Sequence, residues 1–199
     1  MSYWSRPKPP QRARAVDVTE VAAVAARLLD DGGLRALTVR AVAQYLDVAP
    51  ASLYSRLSSR DDLLDLALDH ALGQDAELQA ARREATLQAL MVAYFRHLVR
   101  HPWACQVIAM RAPRGPNHLR LSERMCVLLI DLGSSDPLRD AYAVSNFVIG
   151  SATTASTAAH ERKTPVDARL APEYAALHAA HDDDPEEVLV AGLEALLRT

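Results

Sequence analysis

The chain has 199 residues with a formal net charge of −3, and half of its residues are hydrophobic. This hydrophobic fraction excludes a chain that is disordered throughout, and since no run of eighteen apolar residues occurs, no membrane span is expected. Two cysteines favour neither a disulfide framework nor a zinc module and suit a cytoplasmic protein, while seven glycines and an aromatic content of 5% favour an all-α fold over a sheet.

The first predicted segment, residues 1–14, is a flexible basic arm. Its prolines disfavour a helix, and it lacks the apolar stretch of a secretory signal. Two interpretations stay open, a solvated tail and an arm that contacts DNA phosphate or the minor groove. The basic residues of the arm are Arg6, Lys8, Arg12 and Arg14.

Three helices follow within a short length of chain. Apolar residues at helical spacing over 18–29 predict the first, which Gly32-Gly33 ends. Thr38 is a suitable N-cap for the second helix, and Pro50 suits the first turn of the third. Residues 47–49 form a tight break between the second and third helices.

A fourth helix connects this region to the rest of the chain. Ser59 and Asp62 resemble a capping box at its start, and Gly73 ends it. An irregular or short helical piece is expected between Pro165 and Pro172. The other predicted helices have approximate bounds of 76–101, 102–110, 119–132, 137–162 and 186–198.

The second and third helices, with the break between them, have the form of a helix-turn-helix. In this motif the second helix of the pair enters the major groove, and its N-terminal residues meet base edges. Charge supports this interpretation, because residues 1–60 carry nine Lys/Arg against five Asp/Glu, whereas residues 61–199 carry thirteen against twenty. A basic first part on an acidic remainder indicates that one end contacts a polyanion.

The run LTVRAVAQYLDVAPASLYSRLSSRDDLL over 37–64 closely resembles the DNA-binding domain of TetR-family transcriptional regulators. The resemblance covers roughly residues 15–70. His101-Pro102-Trp103 and the segment 111–117 resemble the tetracycline-repressor-like C-terminal domain of that family. The resemblance implies a helix-turn-helix head over 15–72 and a larger helical bundle over 73–199 that binds a ligand and dimerises.

The function that the resemblance implies is a sequence-specific DNA-binding regulator. It would be a homodimeric repressor that a small-molecule effector releases from a double-stranded operator, with no cofactor. Thr38, Tyr54 and Arg60 match family positions that contact phosphate, and Arg40 matches one that reads bases in some members. The full set of expected DNA contacts is Thr38, Arg40, Pro50, Ala51, Ser52, Tyr54, Ser55, Arg56 and Arg60.

Each of the four named contacts has a structural alternative. Thr38 would serve only as a cap, Tyr54 would pack against the first helix, and Arg40 and Arg60 would be solvated charges. The chain also departs from the family pattern at Asp47, where glycine is usual. A left-handed backbone costs Asp more than Gly, yet Asp tolerates it better than most residues.

The second half contains bulky and amphipathic residues that are candidates for an effector pocket. The alternative is ordinary core packing. His97 and His101 lie four residues apart, but no third ligand follows at a suitable spacing, so no metal site is expected. No serine has the surroundings of a catalytic nucleophile, so no enzyme is expected. The pocket candidates are Tyr94, His97, Trp103, Met110, Met125, Asn146, Phe147 and Thr154.

Small residues over 151–159 and an apolar last helix predict a four-helix dimer interface. Other functions stay open at this stage. The chain would be an activator, a regulator that works without a ligand, or a helical binding protein without a DNA function.

Overall fold

The structure, a computed structural model, describes residues 2–5, 16–161, 163–181 and 184–197. In these ranges the regular elements are a 3-10 turn at Tyr3–Ser5 and α-helices, so the predicted all-α fold is confirmed. The helices are α1 (Val18–Ala36), α2 (Val39–Tyr45), α3 (Pro50–Tyr54), α4 (Arg60–Gln74), α5 (Ala76–Glu84), α6 (Leu87–Arg100), α7 (Pro102–Met110), α8 (Pro116–Asp131), α9 (Pro137–Ala155), α10 (Ala158–Glu161), α11 (Pro172–Ala180) and α12 (Pro185–Leu197).

The first three helices form a small head that packs on α4. Leu37, Val42, Leu53 and Leu57 are almost fully buried there. Ala43 is buried with them, and Val48 in the turn is half-buried. A short apolar core of this kind holds α2 and α3 in place while leaving their outer faces to solvent.

Two residues with positive φ shape the head. Gly33 has φ 63° and interrupts the helical backbone within α1, where the sequence predicts the end of the first helix. Asp47 has φ 52°, the left-handed conformation that the turn between α2 and α3 requires. The turn therefore forms with Asp at the position where glycine is usual, at some cost in backbone strain.

The remaining helices form the body, in which α6 is central. It packs against α5, α9 and α12, and α8 joins the body to α4 and α9. Leu90, Leu98, Val148 and Leu189 have no exposed surface. Within the described residues, no helix is both long and apolar enough to cross a membrane.

Two predicted helix bounds are wrong. The helix expected over 76–101 is two helices, because Thr86 caps a new one by accepting a hydrogen bond from the Ala89 amide. The helix expected over 137–162 ends at Ala155. Near that end, side-chain hydroxyls bond to backbone carbonyls, as in the bond from Thr154 Oγ1 to Gly150 O, which competes with a regular helix.

The start of the chain and of α4 also differ from expectation. The flexible arm predicted over 1–14 does not include residues 2–5, because Tyr3 is buried and its amide donates to Asp65 Oδ2 at 2.8 Å. Arg6, Lys8, Arg12 and Arg14 lie outside the described residues. At α4, Ser59 makes no side-chain cap, and the amide and hydroxyl of Ser58 donate to Asp62 instead.

Candidate nucleic-acid interface

The helix α2 is fixed at its start by Thr38. The Thr38 hydroxyl oxygen accepts a hydrogen bond from the Ala41 amide at 3.0 Å, so the predicted cap is present. Thr38 is exposed, and its hydroxyl hydrogen remains able to donate to a phosphate. Arg40 follows on the exposed side of the same helix. The Thr38 hydroxyl can therefore cap α2 and donate to a phosphate at the same time.

The helix α3 presents a polar face to solvent on an apolar anchor. Pro50 begins the helix and Leu53 is buried beneath it. Tyr54 is 58% exposed, so it does not pack against α1, which was the structural alternative for this residue. Among the other residues expected to contact DNA on or after this helix, Arg56 is half-buried. The exposed ones are Pro50, Ala51, Ser52 and Ser55.

Arg60 has a structural role that the sequence did not indicate. Its Nε donates to the Leu37 carbonyl at 2.8 Å, and its Nη2 donates to the Leu34 carbonyl. The guanidinium therefore binds carbonyls at the end of α1, where a positive charge is favourable. Although Arg60 is exposed, its two carbonyl contacts make it more than a solvated charge. They hold the start of α4 against the head.

The helix α4 carries three buried carboxylates toward neighbouring elements. Asp62 accepts from Ser58, while Asp65 accepts from Arg111 Nε at 3.0 Å as well as from Tyr3. Asp69 accepts from the amides of Asn117 and His118 and so caps the N-terminus of α8. Burial raises the pKa of Asp69 against these hydrogen bonds. Each carboxylate ties α4 to a different part of the chain.

A second connection joins the head directly to the body. Asp30 on α1 accepts from Trp103 Nε1 at 2.6 Å and pairs with His101 Nδ1 at 2.7 Å. These bonds span more than seventy positions of the chain. The sequence alone held no signal for them, because spacing along one helix says nothing about a partner on a distant helix.

His97 lies inside the body at the α5–α6 contact. Its Nδ1 is 2.8 Å from Asp75 Oδ2, and the ring has no exposed surface. Burial lowers the pKa of His97 to about 4, against the favourable effect of Asp75. Arg100 Nη2 also donates to Asp75 at 2.5 Å. His97 is therefore neutral at pH 7 and is a structural residue of the body.

The eight residues expected to form an effector pocket do not share one cavity. Tyr94, Trp103 and Met125 are buried in the core, as His97 is, and Met110 and Asn146 are exposed. Helical spacing marks an inward-facing residue without separating a pocket wall from a packed core, so the pocket set stays a prediction.

Two of the candidates do line cavities, but different ones. Thr154 lines a cavity of about 700 Å³ formed by α9, α10, α11 and α12. Met110 lines another beside Trp4 and Leu119. Phe147 is half-buried and packs against Gly192, where an added Cβ would meet its ring at 2.2 Å. Phe147 therefore serves the close approach of α9 and α12.

Among the described residues, no three or more His, Cys, Asp or Glu side chains are grouped to hold a metal ion. His97 is paired with Asp75, the residue between α4 and α5, and His101 is paired with Asp30 on α1. Their spacing of four residues serves contacts between helices.

The chain matches two family models. Residues 21–67 match the model for bacterial regulatory proteins of the tetR family, and residues 79–186 match that for the tetracyclin repressor-like C-terminal domain. An HTH-type transcriptional regulator of Saccharopolyspora erythraea is 33% identical, over 98% of this chain and 92% of its own. The HTH-type transcriptional repressor DrrR1 of Streptomyces coeruleorubidus is 29% identical, over 75% of this chain and 58% of its own.

Solved structures show the same architecture. A possible TetR family transcriptional regulator from Streptomyces coelicolor superposes with a TM-score of 0.76 at 27% identity, over 92% of this chain and 97% of that one. The TetR family protein ActR from the same organism, in complex with (S)-DNPA, superposes with a TM-score of 0.74 at 26% identity, over 92% and 96%. The head and the body are thus combined in these proteins as they are here.

Proposed function

Because the chain belongs to the TetR family of bacterial regulatory proteins and is a DNA-binding transcriptional regulator, we propose that it is a homodimeric repressor that a small-molecule effector releases from its operator. Its proposed organisation is a basic arm over 1–14, a DNA-binding domain over 15–72 that comprises the head and most of α4, and an effector-binding and dimerisation domain over 73–199. Such a regulator acts on the chromosome, so we place it in the cytoplasm.

The observation that carries the DNA-binding part is the exposed face of α2 and α3. Arg40 and Tyr54 point away from a core that holds both helices, and Thr38 keeps a free donor beside them. We propose that Thr38 and Tyr54 bind phosphate and that Arg40 reads a base, for which guanine offers two acceptors. Pro50, Ala51 and Ser52 offer little hydrogen bonding, so DNA shape contributes to specificity.

Arg60 contributes to this interface in a different way. Its carbonyl contacts use two of the five N–H groups of a guanidinium, so the remaining donors are available to a phosphate. We propose that Arg60 fixes the start of α4 and contacts the DNA backbone at the same time. Ser55 and Arg56 complete the proposed set on the exposed side after α3.

The test is the selection of bound DNA from a random pool, followed by affinity measurements on the selected site. Tyr54→Phe removes one phosphate hydrogen bond and should weaken binding about fivefold on all sequences. Arg40→Gln should instead relax the preference at one base position. Tyr174→Phe, at an exposed tyrosine of the body outside the DNA-binding face and the proposed dimer face, is the control and should leave affinity unchanged when no effector is present.

The proposed DNA function fails if the pool yields no enriched sequence, or if affinity does not fall as salt rises. Comparison of a reporter gene in strains with and without the protein then separates a repressor from an activator. Expression should rise when the protein is absent.

The cavity that Thr154 lines is the proposed effector site. Its volume of about 700 Å³ suits a small organic molecule, and its walls combine apolar residues with Ser151, Tyr174 and His178. The structural relative ActR supports an effector, since it has been solved in complex with (S)-DNPA, and the name of DrrR1 supports repression. Ala155→Trp should fill the cavity and abolish release by an effector while operator affinity stays unchanged.

Exposed apolar residues on α9 and α12 support the proposed dimer. Leu138 and Tyr142 lie on α9, and Val188 and Leu196 lie on α12. Two copies of this helix pair would form a four-helix interface that spaces the heads for successive major grooves, about 34–36 Å apart. Sedimentation should give twice the monomer mass, and Leu138→Glu should give a monomer with much weaker operator binding.

A further inference from the structure

Several arginines of the body pair with carboxylates on other elements. Arg96 pairs with Glu77 and Glu186, and Arg111 pairs with Asp61 and Asp65. By contrast, four arginines at the end of α5 and on α8 form no ion pair with a carboxylate within the described residues. These four, the arginine cluster, are Arg82, Arg83, Arg120 and Arg124.

The cluster contains guanidinium nitrogens that are shielded from solvent. Nη1 of Arg82 and Nε of Arg124 are both buried, and neither has a hydrogen-bond partner among the described residues. The contacts that the cluster does make are long ones, from Arg124 Nη2 to the Ala85 carbonyl at 3.4 Å and from Arg120 Nη1 to Asn117 Oδ1 at 3.3 Å. A buried donor without a partner loses its hydration and gains nothing in return.

The charges of the cluster also repel one another. Arg120 and Arg124 lie four residues apart on one face of α8, a spacing at which like charges destabilise a helix. Burial, with the charges of Arg120 and Arg83, lowers the pKa of the Arg82 guanidinium. The helix dipole explains basic residues in the last turn of α5, but it does not explain further arginines placed against them from α8.

We propose that the arginine cluster is a binding site for a small organic oxyanion, which Arg82 and Arg124 bind through charge-assisted hydrogen bonds and Arg120 attracts by charge. A carboxylate or a phosphate group supplies the acceptors that the guanidinium nitrogens lack, and planar guanidinium groups match either group in geometry. An oxyanion at this site also offsets the repulsion between α5 and α8. The site is separate from the cavity of Thr154 and from the head, so its test needs neither operator nor effector.

The test measures the thermal stability of the full-length protein and the heat of binding with two probes, inorganic phosphate and benzoate. Sodium chloride at the same ionic strength is the reference. At least one probe should raise the melting temperature above the chloride value and give a saturable heat of binding. The probe that binds tells whether the cluster takes a phosphate or a carboxylate.

The variants are Arg82→Gln and Arg124→Gln, with Arg120→Gln as a variant at an exposed position that carries little risk of misfolding. Arg82→Gln and Arg124→Gln should each weaken binding of the probe roughly tenfold or more, because each removes a charge-assisted hydrogen bond, and Arg120→Gln should weaken it less, because it removes only a nearby charge. Arg82→Gln should also keep or raise the melting temperature in chloride, since it removes a buried, repelled charge. Arg169→Gln, at an exposed arginine between α10 and α11, is the control and should respond to the probes as the unaltered protein does.

Three results would overturn the proposal. Neither probe binds the unaltered protein, or the variants of the cluster bind as tightly as the control, or Arg82→Gln and Arg120→Gln both lower the melting temperature in chloride. The last result would mean that the arginines serve the fold and not a ligand.

Discussion

The head and the body are stabilised by different kinds of residue. Among the described residues, the buried side chains of α1–α3 are apolar, and the charged ones there are exposed or half-buried. The buried aspartates and histidine lie instead on α4 and α6, where Asp65, Asp69 and His97 bond to residues outside their own helix and Asp62 accepts from Ser58 just before α4. Apart from Asp30, which bonds to Trp103 and His101, the charged side chains of α1–α3 remain exposed to a partner outside the protein, whereas α4 and the body use charge to join helices. Changes of protonation should therefore alter stability through α4 and the body, whereas substitutions of surface residues should alter DNA binding through the head.

The largest expected effect is that of acid on the body. Burial lowers the pKa of both His97 and His118 to about 4, below the value of 6.5 for a free histidine. The native state thus favours the neutral rings, and their contribution to stability is full above pH 6.5 and is lost as the pH falls toward 4. The free energy of unfolding should fall by up to roughly 1.4 kcal/mol per pH unit for each ring.

Urea unfolding at several pH values between 7.5 and 4.5 measures this effect. His97→Gln should reduce the slope by about half, whereas a variant at the exposed His160 should not change it. The raised pKa of Asp69 acts in the opposite direction, because protonation of that carboxyl favours the native state. A slope unaffected by His97→Gln would contradict the assignment of a buried neutral imidazole.

The next effect is the loss of a buried cap between two helices of the chain. Asp69→Ala leaves the amides of Asn117 and His118 without their acceptor, and we expect a loss of about 2–4 kcal/mol in the free energy of unfolding. Asp136→Ala removes an exposed cap, that of α9, and should cost only about 1 kcal/mol. If both variants lost the same free energy of unfolding, the buried cap would contribute no more than the exposed one, and the prediction would be wrong.

A smaller effect is expected at the start of α2 in the head. Thr38→Ala removes the cap on the Ala41 amide and should cost about 1 kcal/mol in stability. Thr38→Ser keeps the cap and should restore both stability and operator affinity. If operator affinity fell in Thr38→Ala without any loss of stability, the phosphate contact alone would be responsible, and the predicted cap contribution would be wrong.

The smallest effect is expected at the turn of the head. Asp47→Gly relieves the left-handed backbone at φ 52°, but it adds freedom to the unfolded chain. The two effects nearly cancel, so the variant should be more stable by about 0.5 kcal/mol at most. Asp47→Ala keeps the strain without the tolerance of Asp and should be less stable than the unaltered protein. Thermal unfolding of both variants gives the order directly.

The sequence was most informative where structure depends on neighbours in the chain. The break at Gly33, the cap at Thr38, the left-handed turn at Asp47 and the buried Leu53 all follow from local patterns, and the structure has each of them. The exposed face of α2 and α3 follows from the same patterns. The resemblance of the run over 37–64 to a family of regulators indicated that this face binds DNA.

The pocket and the helix bounds of the body were less predictable. A mixture of bulky and amphipathic side chains marks helices that face inward, yet Tyr94 and Met125 are core residues while Thr154 lines a cavity. The choice depends on how closely neighbouring helices pack, as at Gly192, where α12 lies against Phe147. The spacing of apolar residues along one helix does not predict the distance between that helix and its neighbour.

The sequence by itself determined the helical class, the helix-turn-helix and the separation of a basic first part, residues 1–60, from an acidic remainder, because composition and spacing of three or four residues control local structure. Only the tertiary structure decided which charges are buried and which partners they meet. Examples are the bonds from Trp103 to Asp30 and from Arg111 to Asp65. These pairs join residues far apart in the chain, and the free energy of a buried charge depends on what the fold places beside it.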